Sequence, residues 1–412
     1  MVQTFNVPWA AWYGDKKIQL EFPDTWDVNV YNMEDDTELS QEEIINAFIN
    51  PIGSPTIQEI AKGRSNAVIA VEDISRPTQL ETVLDILLNQ LNEAGITNDN
   101  ITLIYALGAH RPMNRIDSIK KIGAKNVDKI NIENHHPYEN LVYIGDSYNG
   151  TPIYLNKTYY DAEVKISIGS VVPHPLAGFG GGAKVVLPGL CGIQTLEANH
   201  KAGIRGIGIG LGIVTELRKD IEDTCKKAGL DFSINLIPTM TRKVGGIFAG
   251  DFIKAHRKAM EFAKKVYSTD LPPELKLDIG FFNLYPEDTE LSQALKGLNF
   301  LLKTNTIIKR EGAAIILTAA SEGRGFHSLL GETGGKLYKN WGEGIIFKGI
   351  LKKKKFGIFS QNINKMDVFH YYPKTTIFNT NFQELVKELE NIYGNTPKVG
   401  IFPSSNQLPK ES

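Results

Sequence analysis

The sequence predicts an α/β protein of two domains with largely parallel sheets. Three observations lead there. The chain has 412 residues, long for a single domain of about 100–200 residues. Short apolar runs alternate with segments of helical spacing, and the same rhythm starts again after a proline-containing break. Nearly continuous apolar runs suit strands buried on both faces of a parallel sheet, and their alternation with helices argues a doubly wound arrangement.

The elements follow in order. Ile18–Phe22 is strand-like, and Ser40-Gln41-Glu42-Glu43 is a capping box that starts a helix running through Phe48. Asn66–Val71 (NAVIAV) reads as a buried strand. Gln79–Ala94, with Leu80, Val83, Leu84, Ile86, Leu87 and Leu91 at helical spacing, reads as the helix after it. Ile101–Ala106 and Glu163–Ile168 are further strands, and a glycine-rich middle, Gly178–Gly212, precedes a helix over Phe252–Tyr267. The polar stretch Ser268-Thr269-Asp270-Leu271-Pro272-Pro273 marks the domain boundary, placing residues 1–270 in an N-terminal domain and 271–412 in a C-terminal one. The second round comprises strand Leu277–Phe282, helix Glu290–Asn305, and strands Ala313–Thr318, Lys355–Ser360 and Lys398–Phe402.

Composition narrows the classes. Hydrophobic residues at 42% and charged residues at 22% supply a core for each half. A formal net charge of −2 without a long basic stripe gives no footprint for nucleic acid, and the one basic run, Lys352–Lys355, reads as a solvated turn. Cys191 and Cys225 are too few for a disulfide framework or a paired-thiolate metal site. The N-terminal residues lack the pattern of a secretory signal. No window approaches the ~18 uninterrupted apolar residues of a membrane span, so a cytoplasmic chain without a membrane partner is expected. Nothing in the composition fixes an oligomeric state.

In doubly wound sheets ligands gather beyond the carboxyl ends of the strands, which directs attention to the loops. Strand Asn66–Val71 runs into Glu72-Asp73-Ile74-Ser75-Arg76-Pro77. Arginine is a natural fork for a carboxylate, although an acid and an arginine before a helix also read as a surface ion pair. Ile101–Ala106 ends in Leu107-Gly108-Ala109-His110-Arg111. A histidine there suits acid–base work, whereas His135 and His136 lie in a polar stretch and read as surface residues. After Glu163–Ile168 come Val171-Val172-Pro173-His174 and then Gly178-Phe179-Gly180-Gly181-Gly182-Ala183-Lys184, with His200 beyond. The glycines suit a phosphate cradle or a flexible loop. They are neither a Walker loop, because no Ser or Thr follows the lysine, nor a well-placed dinucleotide turn, because they start some way past the strand. In the second domain Gln293 and Lys296, three apart, share a helix face, which by itself usually means a solvated face. The loop Ala319-Ala320-Ser321-Glu322-Gly323-Arg324-Gly325 follows a strand of that domain.

Taken together, Asp73-x-x-Arg76-Pro77, Gly108-Ala109-His110-Arg111, Pro173-His174 leading into Gly180-Gly181-Gly182-Ala183-Lys184, His200 and Gln293-x-x-Lys296 resemble the nickel-pincer-dependent lactate racemase family. The resemblance implies a racemase or epimerase of 2-hydroxy acids working by hydride transfer, with an active-site cleft between the domains. It implies that Lys184 forms a thioamide link to a pyridinium-3,5-bisthiocarboxylic acid mononucleotide holding nickel in a sulfur–carbon–sulfur pincer, and that His200 is the protein's nickel ligand. His110 and His174 would be the two acid–base residues. Asp73, Gly181 and Gly182 would bind cofactor beside Lys184, and Arg76, Gln293 and Lys296 would orient the substrate carboxylate. Cofactor maturation proteins are the implied partners. Lactate-acting members are expected to carry an aromatic residue where this chain has Ser292 and a late tryptophan over the substrate. Here Trp341 is the only tryptophan of the C-terminal half, and the late loop Ser360-Gln361-Asn362-Ile363-Asn364-Lys365 is polar. These departures favour a larger or more polar acid than lactate. The competing readings are a nicotinamide-dependent hydroxy-acid dehydrogenase, which lacks its glycine turn here, and a non-catalytic nickel or nucleotide binder, in which the histidines with Arg76 and Lys296 would be surplus.

Overall fold

A computed structural model describes residues 1–328 and 345–410. The chain forms two compact units, Asp35–Val266 and Met1–Glu34 together with Tyr267–Ser412. The boundary expected near Pro272 falls at Val266/Tyr267, and residues 1–34, grouped by the sequence with the first domain, pack in the unit that contains the C-terminus. The cause is strand pairing. Asp27–Val30 runs parallel to Lys398–Phe402, with Val28 opposite Val399. The hairpin of Val2–Trp9 and Lys16–Pro23 brings Phe22 to within 5.4 Å of Phe281 and 5.3 Å of Phe382, ring centre to ring centre.

The unit Asp35–Val266 holds a six-stranded sheet in the order Val244–Gly250, Phe232–Pro238, Val164–Ser170, Ala67–Val71, Ile101–Tyr105, Asn131–Asn134. Only the pair at the Val244–Gly250 edge is antiparallel. Ala67–Val71 is buried at every residue, as its unbroken apolar run requires of a strand covered on both faces. Ser40 caps helix Gln41–Ile49 through the reciprocal bonds with Glu43. The expected helices appear as Glu81–Glu93 and Lys254–Val266.

The other unit holds six parallel strands in the order Ile377–Asn379, Lys355–Phe359, Ile308–Leu317, Leu277–Asn283, Lys398–Phe402, Asp27–Val30. Alternate residues feed two cores: Ile279, Phe281, Ala313, Ile315 and Leu317 on one face, Phe282, Ala314 and Ile316 on the other. The predicted helix Glu290–Asn305 is instead a 3₁₀ segment, Leu291–Leu298, followed by a short α-helix, Asn299–Thr304. Its first amides bond the carbonyls of Gly323 (3.0 Å from Leu291) and Arg324 (3.2 Å from Ser292). Trp341 lies outside the described residues. No helix among the described residues is long and apolar enough to cross a membrane.

His136 is exposed as expected, but His135 is buried at 2% exposure. Its Nε2 donates to the Cys191 carbonyl at 3.0 Å and its Nδ1 accepts from Asn156 at 3.3 Å. Burial pushes this imidazole down to about 4, against the raising effect of the Cys191 bond. A depressed histidine stabilises the fold above its unfolded value near 6.5, and that contribution is lost as pH falls toward about 4. For His135 the loss is about 3 kcal/mol, and His256, buried and displaced in the same direction, adds to it. Denaturant midpoints are expected to fall between pH 6.5 and pH 4.5, with a shallower fall for His135→Gln; equal slopes for variant and wild type would rule His135 out as a source.

Candidate active site

Strand order in the unit Asp35–Val266 reverses between Ala67–Val71 and Val164–Ser170, the neighbours from which the chain departs to opposite sides of the sheet. A ligand crevice is expected beyond the carboxyl ends of such strands, and the loops leaving them carry Asp73, Arg76, His174 and Lys184.

Asp73 and His110 form a pair. Asp73 Oδ2 lies 2.7 Å from His110 Nδ1, Ser75 Oγ lies 3.1 Å from the same nitrogen, and the Ser75 amide donates to Asp73 Oδ1 at 2.6 Å. Burial raises the Asp73 carboxyl, but the charge and hydrogen bond of His110, joined by Arg76 and Ser75, outweigh it and hold the group far below the usual carboxylate range. An ionised Asp73 fixes the proton on His110 Nδ1. Arg76 continues the same turn, its amide bonded to the Asp73 carbonyl at 3.2 Å. Asp73, assigned from sequence to the cofactor, thus has an imidazole partner that the sequence did not reveal.

His174 sits in a two-residue strand paired with Gly178–Phe179. Its Nδ1 accepts from the amides of Leu176 (3.2 Å) and Ala177 (3.1 Å), so the neutral ring carries its proton on Nε2, the opposite tautomer to His110. Taking a proton at Nε2 therefore requires His174 to release those amide bonds. Gly210 and Gly212, downstream of the helix that bears His200, bond the carbonyls of Pro175 and Gly178, each at 3.0 Å, and tie the two histidine segments together. Gly178 has φ +76°, and a Cβ there would stand 1.7 Å from the Ile213 carbonyl oxygen.

Lys184 lies in the 3₁₀ turn Gly182–Val185 and is half-buried. His200, on helix Ile193–Ala202, donates from Nδ1 to the Leu196 carbonyl at 2.8 Å. Burial pushes it down to about 4, and the charges of Lys184 and His110 act in the same sense against the Leu196 bond. A neutral imidazole with a free Nε2 lone pair is the form that ligates a metal. Among the described residues no group of three or more His, Cys, Asp or Glu is arranged to hold a metal. A metal at His200 would take its other donors from a bound group, which fits a cofactor bringing sulfur and carbon ligands of its own.

The glycine run is held from below by residues without any sequence signal. Arg218, on helix Glu216–Ala228, is fully buried. It donates to the carbonyls of Ala177 (3.3 Å), Gly181 (3.2 Å), Gly180 (3.3 Å) and Phe179, while His256 Nε2 donates to Gly180 at 2.8 Å. A Cβ on Gly182 would stand 2.9 Å from the His256 ring, and one on Gly181 2.8 Å from Val171. Packing against the protein therefore already accounts for glycine at both positions, assigned from sequence to cofactor binding. A lone arginine on an amphipathic helix reads as solvated, which is why Arg218 was not found.

Gln293 and Lys296 belong to the other unit. In a 3₁₀ helix residues three apart eclipse each other, so the two share a face as expected. Each already has an acidic partner that the sequence reading passed over: Lys296 bonds Glu287 at 3.0 Å, and Gln293 bonds Glu290 at 3.2 Å. Ser292 also donates to Glu290. In the polar loop after Lys355–Phe359, Asn362 donates to the Ala319 carbonyl at 2.7 Å.

Residues 13–209 match the model of the lactate racemase N-terminal domain. A lactate racemase of Lactiplantibacillus plantarum is 32% identical over 307 residues, covering 72% of this chain and 70% of that protein. One from Thermoanaerobacterium thermosaccharolyticum is 28% identical over 322 residues, covering 76% and 74%. The solved lactate racemase apoprotein from Thermoanaerobacterium thermosaccharolyticum aligns with a TM-score of 0.79 at 25% identity, over 99% of this chain and 100% of its own. A Thermotoga maritima protein shares the fold at a TM-score of 0.67 and 18% identity, over 91% and 99%.

Proposed function

The chain belongs to the lactate racemase family, and on that premise we propose that it interconverts the C2 stereoisomers of a 2-hydroxy acid by hydride transfer, using a nickel-pincer nucleotide tethered to Lys184. As a member of that family it is an isomerase. The observation that carries the reading is the carboxylate-backed imidazole of His110 in the electrostatic neighbourhood of Lys184 and the neutral His200.

A C2 hydrogen beside a carboxylate is poorly acidic, so its loss as hydride is the easier route if the hydroxyl proton leaves with it. The pincer nucleotide, when bound, supplies the hydride acceptor, and the substrate passes through a 2-keto acid. The protein's part is orientation and proton transfer. His110 exchanges the hydroxyl proton of one enantiomer at Nε2, with Asp73 stabilising the imidazolium; His174 serves the other. Arg76 grips the carboxylate with its planar fork. Lys296, in the other unit, is already balanced by Glu287. His200 Nε2 is the protein donor to nickel, for which imidazole is suited. Ser292 stands where lactate-acting members are expected to carry an aromatic residue, which favours a larger or more polar acid than lactate.

Protein matured in a host that makes the cofactor, given single enantiomers from lactate to longer hydroxylated acids, is expected to invert at least one at C2 with no nicotinamide consumed, as read by chiral chromatography. Net oxidation to the keto acid with nicotinamide reduction would refute the reading.

A further inference from the structure

Directly behind this site lies a buried ion pair that the reaction as described does not use. Glu72, the residue before Asp73, is 8% exposed and Lys121, at the end of helix Arg115–Ile122, is 0% exposed. Lys121 Nζ reaches Glu72 Oε1 at 3.5 Å, the Arg76 carbonyl at 3.2 Å and Thr78 Oγ1 at 3.3 Å. The other carboxylate oxygen of Glu72 accepts from the amide and hydroxyl of Ser170, at 2.8 and 2.9 Å, and Thr78 donates to the first. Glu72 thereby bridges the exits of Ala67–Val71 and Val164–Ser170, the two strands at the topological reversal.

The second exit backs the cofactor lysine. A Cβ built on Gly169 would stand 2.7 Å from Val185, next to Lys184, 3.3 Å from the Gly181 Cα and 3.5 Å from Glu72 Oε2. The carboxylate of Glu72 and the turn bearing Lys184 therefore meet across Gly169. On the other side, the Lys121 bond to the Arg76 carbonyl fixes the turn that carries both Asp73 and Arg76.

We propose that the Glu72–Lys121 pair is a positioning element for the reaction, setting the spacing between the Asp73–His110–Arg76 group and the turn that presents Lys184. The inference rests on those residues forming the active site. Stability alone is a poor reason for such a pair, because well-packed apolar replacements of both partners are often neutral or stabilising. What an apolar pair cannot supply is direction: Glu72 receives four donors from three segments, which fixes two loops relative to each other.

The test is the double variant Glu72→Gln/Lys121→Met in the full chain, which removes both charges of the pair together. Two readouts separate positioning from folding. In protein without cofactor, the downfield proton resonance of His110 Nδ1, identified by its absence in His110→Gln, reports the Asp73 bond; in matured enzyme, kcat and KM are measured on whichever 2-hydroxy acid the wild type inverts. A folded double variant is expected to lose or shift that resonance, with kcat lower by about tenfold or more and KM raised, as expected for groups displaced from their reacting geometry. An unchanged resonance with wild-type kcat and KM overturns the proposal. Should the double variant not fold, Thr78→Val, which removes one donor to Glu72, is read by the same two measurements: a shifted resonance with reduced kcat supports the proposal, and wild-type values overturn it. If the wild type inverts no 2-hydroxy acid, the functional reading fails, while the His110 resonance still decides the positioning claim.

Discussion

Lys184→Ala, matured beside the wild type, is expected to emerge without a covalent adduct and without measurable racemisation. Lys184 is half-buried, at a turn whose backbone is set by the bond from its own amide to Gly181 (3.1 Å) and by the Arg218 and His256 clamp below. The clamp acts on the backbone, so shortening the side chain leaves the turn in place and circular dichroism should match the wild type. Lys184→Arg keeps a positive charge near His200 but lacks the amine required for the tether, and it should fail equally. That comparison separates attachment from electrostatics. Intact mass, peptide mapping and bound nickel are the measurements. An adduct that survives either substitution, or full activity in Lys184→Arg, would remove Lys184 from the role proposed for it.

His110→Ala and His174→Ala are each expected to slow racemisation in both directions by about 10²–10⁴, the usual worth of a positioned acid or base. Each turnover uses one imidazole to take a proton and the other to give one, so neither direction escapes. The Haldane relation, with an equilibrium constant near one for a simple enantiomeric pair, ties the two directions together. Nickel content should stay near wild type in both, since ligation is assigned to His200, whose Nδ1 is engaged by Leu196. Loss of nickel in His174→Ala together with retention in His200→Ala would exchange the roles of those two residues.

Much of this fold is legible in the sequence. Strands buried on both faces announce themselves as apolar runs, and Ala67–Val71, Ile101–Tyr105, Leu277–Asn283 and Lys398–Phe402 were each found within a residue or two. The strand Asp27–Val30 was not, because its partner lies near the far end of the chain and a four-residue edge strand of mixed polarity leaves no pattern. The 3₁₀ form of Leu291–Leu298 depends on carbonyls from Gly323 and Arg324, a tertiary cause that helical spacing cannot report. The residues at strand exits were singled out as candidates because topology points to those positions. Arg218, His256, Lys121 and His135 were missed or misread for one shared reason: a charged or titratable side chain in a polar context reads as solvated unless its burial is known. Glu287 and Glu290 were passed over because their partners, Lys296 and Gln293, were read as addressing the substrate alone.

The two imidazoles assigned to proton exchange are backed by opposite chemistry: a carboxylate behind His110, two amide N–H groups behind His174. One proton shared between two rings so differently bonded gives two proton isomers of the unliganded enzyme that are not equivalent. On the proposed roles, each stereoisomer is accepted by one isomer and released from the other. Restoring the accepting form between turnovers then becomes a step of the cycle in its own right. The Haldane relation constrains the ratio of specificity constants and leaves kcat and KM for each hand of the substrate free to diverge. A fold whose two bases look interchangeable in sequence thus builds a chiral bias into the kinetics of a reaction that has almost none at equilibrium.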